Sequence, residues 1–85
     1  MGADAQGEIA RALALRVLGE VAIGDRVVVR ALHGDGASDA LGELVARTPD
    51  TVTIDTRRGL VAIDLADVVA AKRVPPPPTP RSRLR

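Results

Sequence analysis

The sequence predicts a mainly β fold, a small barrel of five short strands with a short helix before it and a proline-rich tail after it. Three observations predict this arrangement. Between residues 24 and 74, apolar and polar residues alternate with the period of two that is typical of half-buried strands. Clusters of glycine, proline and aspartate interrupt that alternation roughly every eight to twelve residues. Residues 8–18, EIARALALRVL, are rich in strong helix formers.

The predicted helix spans residues 8–18 and ends at Gly19 or Gly24, and the small, polar residues 1–7 before it are expected to be frayed. Ile9, Leu13 and Val17 follow one another at intervals of four and form an apolar stripe, with Leu18 beside it. A helix this short is marginal in water by itself, so the stripe must be covered. The sequence leaves open whether the helix packs on its own barrel or docks on a partner or a second copy.

The five predicted strands are residues 25–32, 40–48, 51–56, 60–64 and 68–73. Glycine, aspartate and serine make residues 33–39 a loop, and Pro49 and Asp50 make the next turn. Arg57, Arg58 and Gly59 form a hairpin loop in which the glycine supplies a positive φ. Residues 65–67 are too few for an α-helix and predict a single 3₁₀ turn.

The alternation predicts which side chains are buried, and Gly42 marks the sharp bend that a small barrel needs. The predicted core consists of Val27, Val29, Leu44, Val52, Ile54, Val61 and Ile63. Five such strands, with one helical turn before the last, are typical of an SH3-like barrel. The predicted organisation is a helical extension over residues 1–22, the barrel over 23–74, and a basic, proline-rich tail or linker over 75–85, extended as a polyproline II spacer.

Composition excludes several classes of function. The chain has no cysteine and one histidine, so neither disulfides nor a Cys/His zinc site is expected, and a cytoplasmic location fits. We expect neither export nor a membrane span, because no leader pattern and no long apolar run is visible. There is no Phe, Trp or Tyr, so the chain lacks the aromatic grooves that bind proline helices and the rings on which nucleic-acid bases stack.

Charge is distributed unevenly along the chain. Residues 1–67 carry seven arginines against eleven acidic residues, whereas residues 68–85 carry five basic residues and no acid. An acidic body argues against nucleic acid as the partner of the barrel, although the basic tail could contact phosphate.

No catalytic, cofactor or metal site is predicted. His33 is the one side chain suited to general-base chemistry near neutral pH, but no nucleophile neighbours it in sequence, so a solvated loop histidine is the better interpretation. The aspartates are scattered and lack calcium-loop spacing. The segment RALHGDGA, residues 30–37, superficially matches the pyrophosphate signature of acetyltransferases, but its glycine is displaced by one residue and a strand follows instead of a helix.

Two contact sites are candidates. Arg57 and Arg58, on the predicted hairpin tip, could hold an anion or a partner's carboxylate, or form no more than an exposed basic turn. The stripe of Ile9, Leu13 and Val17 could dock a partner. The segment VPPPPTPR, residues 74–81, has the PxxP spacing of an SH3 ligand, although a linker is the simpler interpretation.

Three segments, GDRVVVR, GELVARTPDTVTIDTRRG and DVVAAKRVPPPP, carry a resemblance to a known module. Together they resemble the SH3-like domain at the N-terminus of actinobacterial GNAT-family acetyltransferases, often described as histone-acetyltransferase-like, over residues 23–78. In that family a proline-rich linker and the catalytic domain follow. The resemblance therefore implies a non-catalytic accessory domain without a cofactor, with an acetyltransferase catalytic domain or another protein as its partner. The alternative is a weak RNA- or anion-binding module that uses Arg57, Arg58 and the tail.

Overall fold

The structure is a computed structural model that describes residues 2–75, with side chains from residue 7 onwards. The predicted tail beyond Pro75 lies outside the described residues. The elements, in chain order, are α1 (Gly2–Glu20), β1 (Arg26–His33), β2 (Gly36–Arg47), β3 (Thr51–Thr56), β4 (Gly59–Asp64), a 3₁₀ turn (Leu65–Asp67) and β5 (Val68–Arg73).

The five strands form one antiparallel sheet in the order β4-β3-β2-β1-β5, which confirms the predicted mainly β fold with an N-terminal helix. Strands β3 and β5 and the 3₁₀ turn occupy the predicted residues. Strands β1 to β4 each pair with the next strand in sequence, forming hairpins. Strand β5 then pairs with β1. Within residues 2–75 no ladder joins β4 to β5, so these two strands are the edges of the sheet.

Two predicted boundaries were wrong by four residues or more. Strand β2 begins at Gly36, four residues before the predicted start, so the connection between β1 and β2 is a tight turn at Gly34 and Asp35. Gly34 has a φ of 62°, which allows that turn. The first four residues of β2 are exposed, so this end of the hairpin lies outside the core. Helix α1 begins at Gly2, so residues 2–7 of the segment predicted to be frayed are helical, as the alanines at positions 3 and 5 favour.

The core lies between the inner face of the sheet and α1. Six of the seven side chains predicted to be buried are buried, namely Val27, Val29, Leu44, Val52, Ile54 and Ile63. The seventh prediction was wrong, because Val61 is 37% exposed. Val61 points to the inner face opposite Ile54, but it belongs to an edge strand that no other strand of residues 2–75 pairs with on its outer side.

Helix α1 packs against β5 and completes the core from the other edge of the sheet. Ala14 and Leu18 are buried there, and Val17 packs partly against the same cluster. Ile9 and Leu13, in contrast, remain more than half exposed. The apolar stripe predicted from the sequence is therefore divided, with its C-terminal end on the sheet and its N-terminal end in solvent.

Two arginines fasten the helix to the sheet through main-chain oxygens. The Arg47 guanidinium donates to the carbonyl oxygens of Leu18 and Val21, at the end of α1. Carbonyls at the end of a helix have no partner within the helix, so Arg47 satisfies groups that would otherwise need water. Arg11 donates to the carbonyl oxygens of Ala66 at 3.1 Å and Val68 at 2.8 Å, next to β5.

A carboxylate closes the connection between α1 and β1. Asp25 accepts a hydrogen bond from the main-chain N–H of Ala22 at 2.9 Å and one from Arg73 at 2.8 Å. Both donors favour the ionised carboxylate, so the Ala22 N–H first and the Arg73 guanidinium second lower the pKa of Asp25 below its ordinary value of 3.8. A lowered pKa in the folded state contributes stability that is present above pH 3.8 and is lost as the pH falls through the lowered pKa.

We therefore expect Asp25→Asn to lower the unfolding midpoint at pH 7, with a difference from the parent that shrinks as the pH falls below 3.8. Urea unfolding at a series of pH values measures this. The matched control is Asp35→Asn on the β1–β2 turn, where the carboxylate makes no hydrogen bond within the described residues, and its unfolding midpoint at pH 7 should lie within error of the parent. A constant difference for Asp25→Asn would contradict the assigned role.

Candidate functional site

A groove of about 680 Å³ lies between the β1–β2 hairpin and the β3–β4 hairpin. Its lining includes four apolar side chains from the inner face of the sheet, Ala31, Ala40, Val61 and Ile63. Three of them are nearly buried, and Val61 is the most exposed. The groove is therefore the place where the inner face of the sheet reaches solvent, and this explains the exposure of Val61.

Arg57 and Arg58 line one end of this groove, on the turn between β3 and β4. Thr56 holds the turn, because its hydroxyl accepts a hydrogen bond from the Arg58 N–H at 3.1 Å and donates to the Gly59 carbonyl at 2.8 Å. Gly59 has a φ of 116°, the positive value predicted for this turn. Neither arginine forms an ion pair within residues 7–75, so both guanidiniums are available to a ligand.

Acidic side chains line other parts of the same groove. Asp39 is engaged by Arg30 through two contacts, 3.0 Å to Oδ1 and 3.5 Å to Oδ2, and this pairing raises the pKa of Arg30. Asp64 and Asp67 line the groove at the end of β4, and neither forms an ion pair within the described part of the chain. Strand β4 thus runs from a basic end, Arg57 and Arg58, to an acidic end, Asp64 and Asp67.

His33 also lines the groove, and so does Ser38, which the sequence placed in a loop and did not mark as a site residue. The β1–β2 register places Ser38 opposite Ala31, two residues from His33 along β1, so both side chains belong to the inner face. No hydrogen bond joins them, and both are exposed. The sequence would have indicated that His33 and Ser38 lie close together only if the tight turn after His33 had been predicted, because that turn sets the β1–β2 register.

The structure brings the two predicted contact sites to separate places. Arg57 and Arg58 line the groove, whereas Ile9, Leu13 and Val17 do not. Among residues 7–75, no group of three or more histidine, cysteine, aspartate or glutamate side chains is arranged to hold a metal ion. Within the described residues, no helix has the length and hydropathy needed to cross a bilayer.

Comparisons with known protein families, curated proteins and solved structures found no match to this chain. The candidate site is therefore defined by its geometry alone. It is a groove with apolar side chains along it, two arginines at one end of its edge strand and two carboxylates at the other, none of which forms an ion pair within residues 7–75.

Proposed function

We propose that this chain is a non-catalytic interaction module with an SH3-like barrel architecture, related to the N-terminal domain of GNAT-family acetyltransferases. The strand order β4-β3-β2-β1-β5 supports the proposal, since one long strand, β2, pairs with both of its sequence neighbours. The 3₁₀ turn between β4 and β5 supports it as well, because a single helical turn at this position is part of the pattern that predicts such a barrel.

The observation that carries the functional part is the mixed character of the groove. Apolar side chains of the inner face are open to solvent there, next to guanidiniums and carboxylates that lack ion-pair partners within residues 7–75. A polypeptide segment offers apolar side chains together with charges of both signs, so it can satisfy all three kinds of group. A nucleic acid would bring phosphates close to Asp64 and Asp67, and the like charges would repel.

The proposed partner is an acetyltransferase catalytic domain, on the basis of the resemblance of residues 23–78 to the family in which such a domain follows this module. The module would hold that domain or a segment attached to it. Its contribution is then affinity and orientation of a partner, with no bond made or broken by its own residues.

We expect a separately purified catalytic domain of an actinobacterial GNAT acetyltransferase to shift the amide resonances of the groove residues in ¹⁵N-labelled chain. Arg57→Glu should weaken this binding by about tenfold, because it reverses a charge beside the contact. The matched control is Lys72→Glu, since Lys72 is an exposed cation that does not line the groove. Its affinity should stay within about twofold of the parent.

RNA added in place of the catalytic domain separates the two candidate functions. We expect it to leave the groove amides unshifted at moderate salt, because Asp39, Asp64 and Asp67 line the groove and their carboxylates would repel phosphates. Salt-dependent shifts with RNA and none with the catalytic domain would reject the interaction module in favour of the anion-binding alternative.

A further inference from the structure

We infer that strand β4 pairs with the β4 strand of a second copy of this chain, in an antiparallel arrangement that joins two sheets into one. This inference goes beyond the proposed function, because it concerns the main-chain edge of β4 and needs no other protein. It rests on the unequal protection of the two sheet edges, on the composition of β4, and on the charges at its two ends.

The two edges of the sheet differ in how they are covered. Strand β5 has helix α1 packed against it, and the Arg11 guanidinium donates to the Val68 carbonyl at its first residue. Strand β4 pairs with β3 on one side, and on its other side no strand of residues 2–75 is hydrogen-bonded to it. A free edge presents main-chain N–H and C=O groups that can pair with another strand.

The composition of β4 lacks the devices by which proteins discourage edge pairing. The strand is Gly-Leu-Val-Ala-Ile-Asp, with no proline, no lysine and no inward-pointing charge. Its pairing with β3 is regular over six residue pairs, so no bulge twists the edge away. Leu60 is 69% exposed and Val61 is 37% exposed, so apolar surface borders the free main-chain groups.

The charges favour a second copy, and they favour an antiparallel one. Arg57 and Arg58 form the basic end of β4, and Asp64 and Asp67 form its acidic end. In an antiparallel pair the basic end of each copy lies opposite the acidic end of the other, so attraction occurs twice. A parallel pair would place like charges together, which is unfavourable for directly opposed residues.

The register is restricted as well. Side chains alternate with a period of two along each strand. Both inner faces therefore lie on the same side of the joined sheet only if the two-fold axis passes through one residue, which then pairs with the same residue of the second copy. Pairing centred on Val61 or on Ala62 meets this condition, and both registers keep opposite charges together. Because β5 is covered by α1, the two-fold pairing uses up the available edge and the assembly closes at a dimer.

The dimer joins single strands of six residues, so it is expected to be weak and to form as protein concentration rises from micromolar to millimolar. Sedimentation velocity and equilibrium on the purified chain measure it directly. If the protein remains monomeric across this concentration range, the inference is wrong, whether or not the protein binds an acetyltransferase domain.

Charge reversal identifies the interface. We expect the variant R57D/R58D and the variant D64R/D67R each to dimerise at least about tenfold more weakly than the parent, because each opposes like charges in the antiparallel pair. Mixed in equal amounts, the two variants should regain the affinity of the parent, since each then supplies the charge that the other lacks. A mixture no tighter than either variant alone would exclude antiparallel pairing.

A second pair of variants separates the edge from other apolar surface. Leu60→Lys should weaken dimerisation about tenfold, because it places a charge on the pairing strand. Leu13→Lys, at a leucine on α1 that is 54% exposed, is the matched control and should leave the dimer unchanged. The reverse result would place self-association on the helix and refute pairing through β4. Circular dichroism at low concentration checks that each variant is folded.

Discussion

Ile54→Ala is expected to lower the free energy of unfolding by about 2 to 5 kcal/mol. Ile54 is fully buried on β3, directly opposite Leu44 on one side and Val61 on the other. Truncation removes buried methyl groups and leaves a cavity that neighbouring strands, held by their ladders, cannot readily fill. Domains of this size have total stabilities near the low end of roughly 5 to 15 kcal/mol, so the loss is a large fraction of the whole.

Urea unfolding followed by circular dichroism measures the loss. Leu60→Ala, at the most exposed large apolar residue of the described chain, is the control and should change stability by no more than about 0.5 kcal/mol. An Ile54→Ala variant as stable as Leu60→Ala would mean that the register of β3 is wrong by one residue.

Gly42→Ala is expected to destabilise the fold by about 3 kcal/mol or more, although it adds only one methyl group. Gly42 is buried on β2, where β2 and β3 approach closely, and a Cβ at this position would overlap the main-chain carbonyl of Asp55. That carbonyl belongs to a paired strand, so the overlap can be relieved only by moving the backbone. The methyl group of Ile54 lies beside the same space and adds to the crowding.

Gly36→Ala provides a matched control in the same strand. The nearest atom to a Cβ on Gly36 is the His33 carbonyl oxygen at 4.0 Å, an ordinary contact, and the φ of Gly36 is not positive. Its midpoint in urea should lie within error of the parent. Equal midpoints for the two variants would show that the close approach of β2 to β3 at Gly42 is absent in solution.

The sequence predicted best where alternation and turn residues agree. Strand β3 has both, since Val52 and Ile54 alternate with polar residues between a proline turn and a glycine turn, and its bounds were correct. The start of β2 was missed because glycine, serine and aspartate are typical of loops, yet they also suit an exposed hairpin. Local composition does not distinguish a loop from the end of a hairpin, because the pairing there is set by the register of the two strands further along.

Burial was harder to predict wherever it depends on a second element. Alternation assigned Val61 to the inner face, but it carries no information on whether anything covers that face at a sheet edge. On α1 the spacing marked Ile9 and Leu13, whereas the small Ala14 is the residue that lets the helix approach the sheet closely. The groove was not predicted at all, because it is formed by two hairpins that are distant in sequence, although the position of Arg57 and Arg58 on a turn was.

The packing of α1 against β5 also has a consequence for the order of folding. The first element of the described chain needs the last one, and β5 is also the second partner of β1. During synthesis, Leu18 and Val27 therefore stay without their final neighbours until Val68 and the residues after it have left the ribosome. Contacts between such distant residues slow folding and make it concerted, so we expect no stable native-like intermediate before β5 is available. The unit acquires its structure late and all at once.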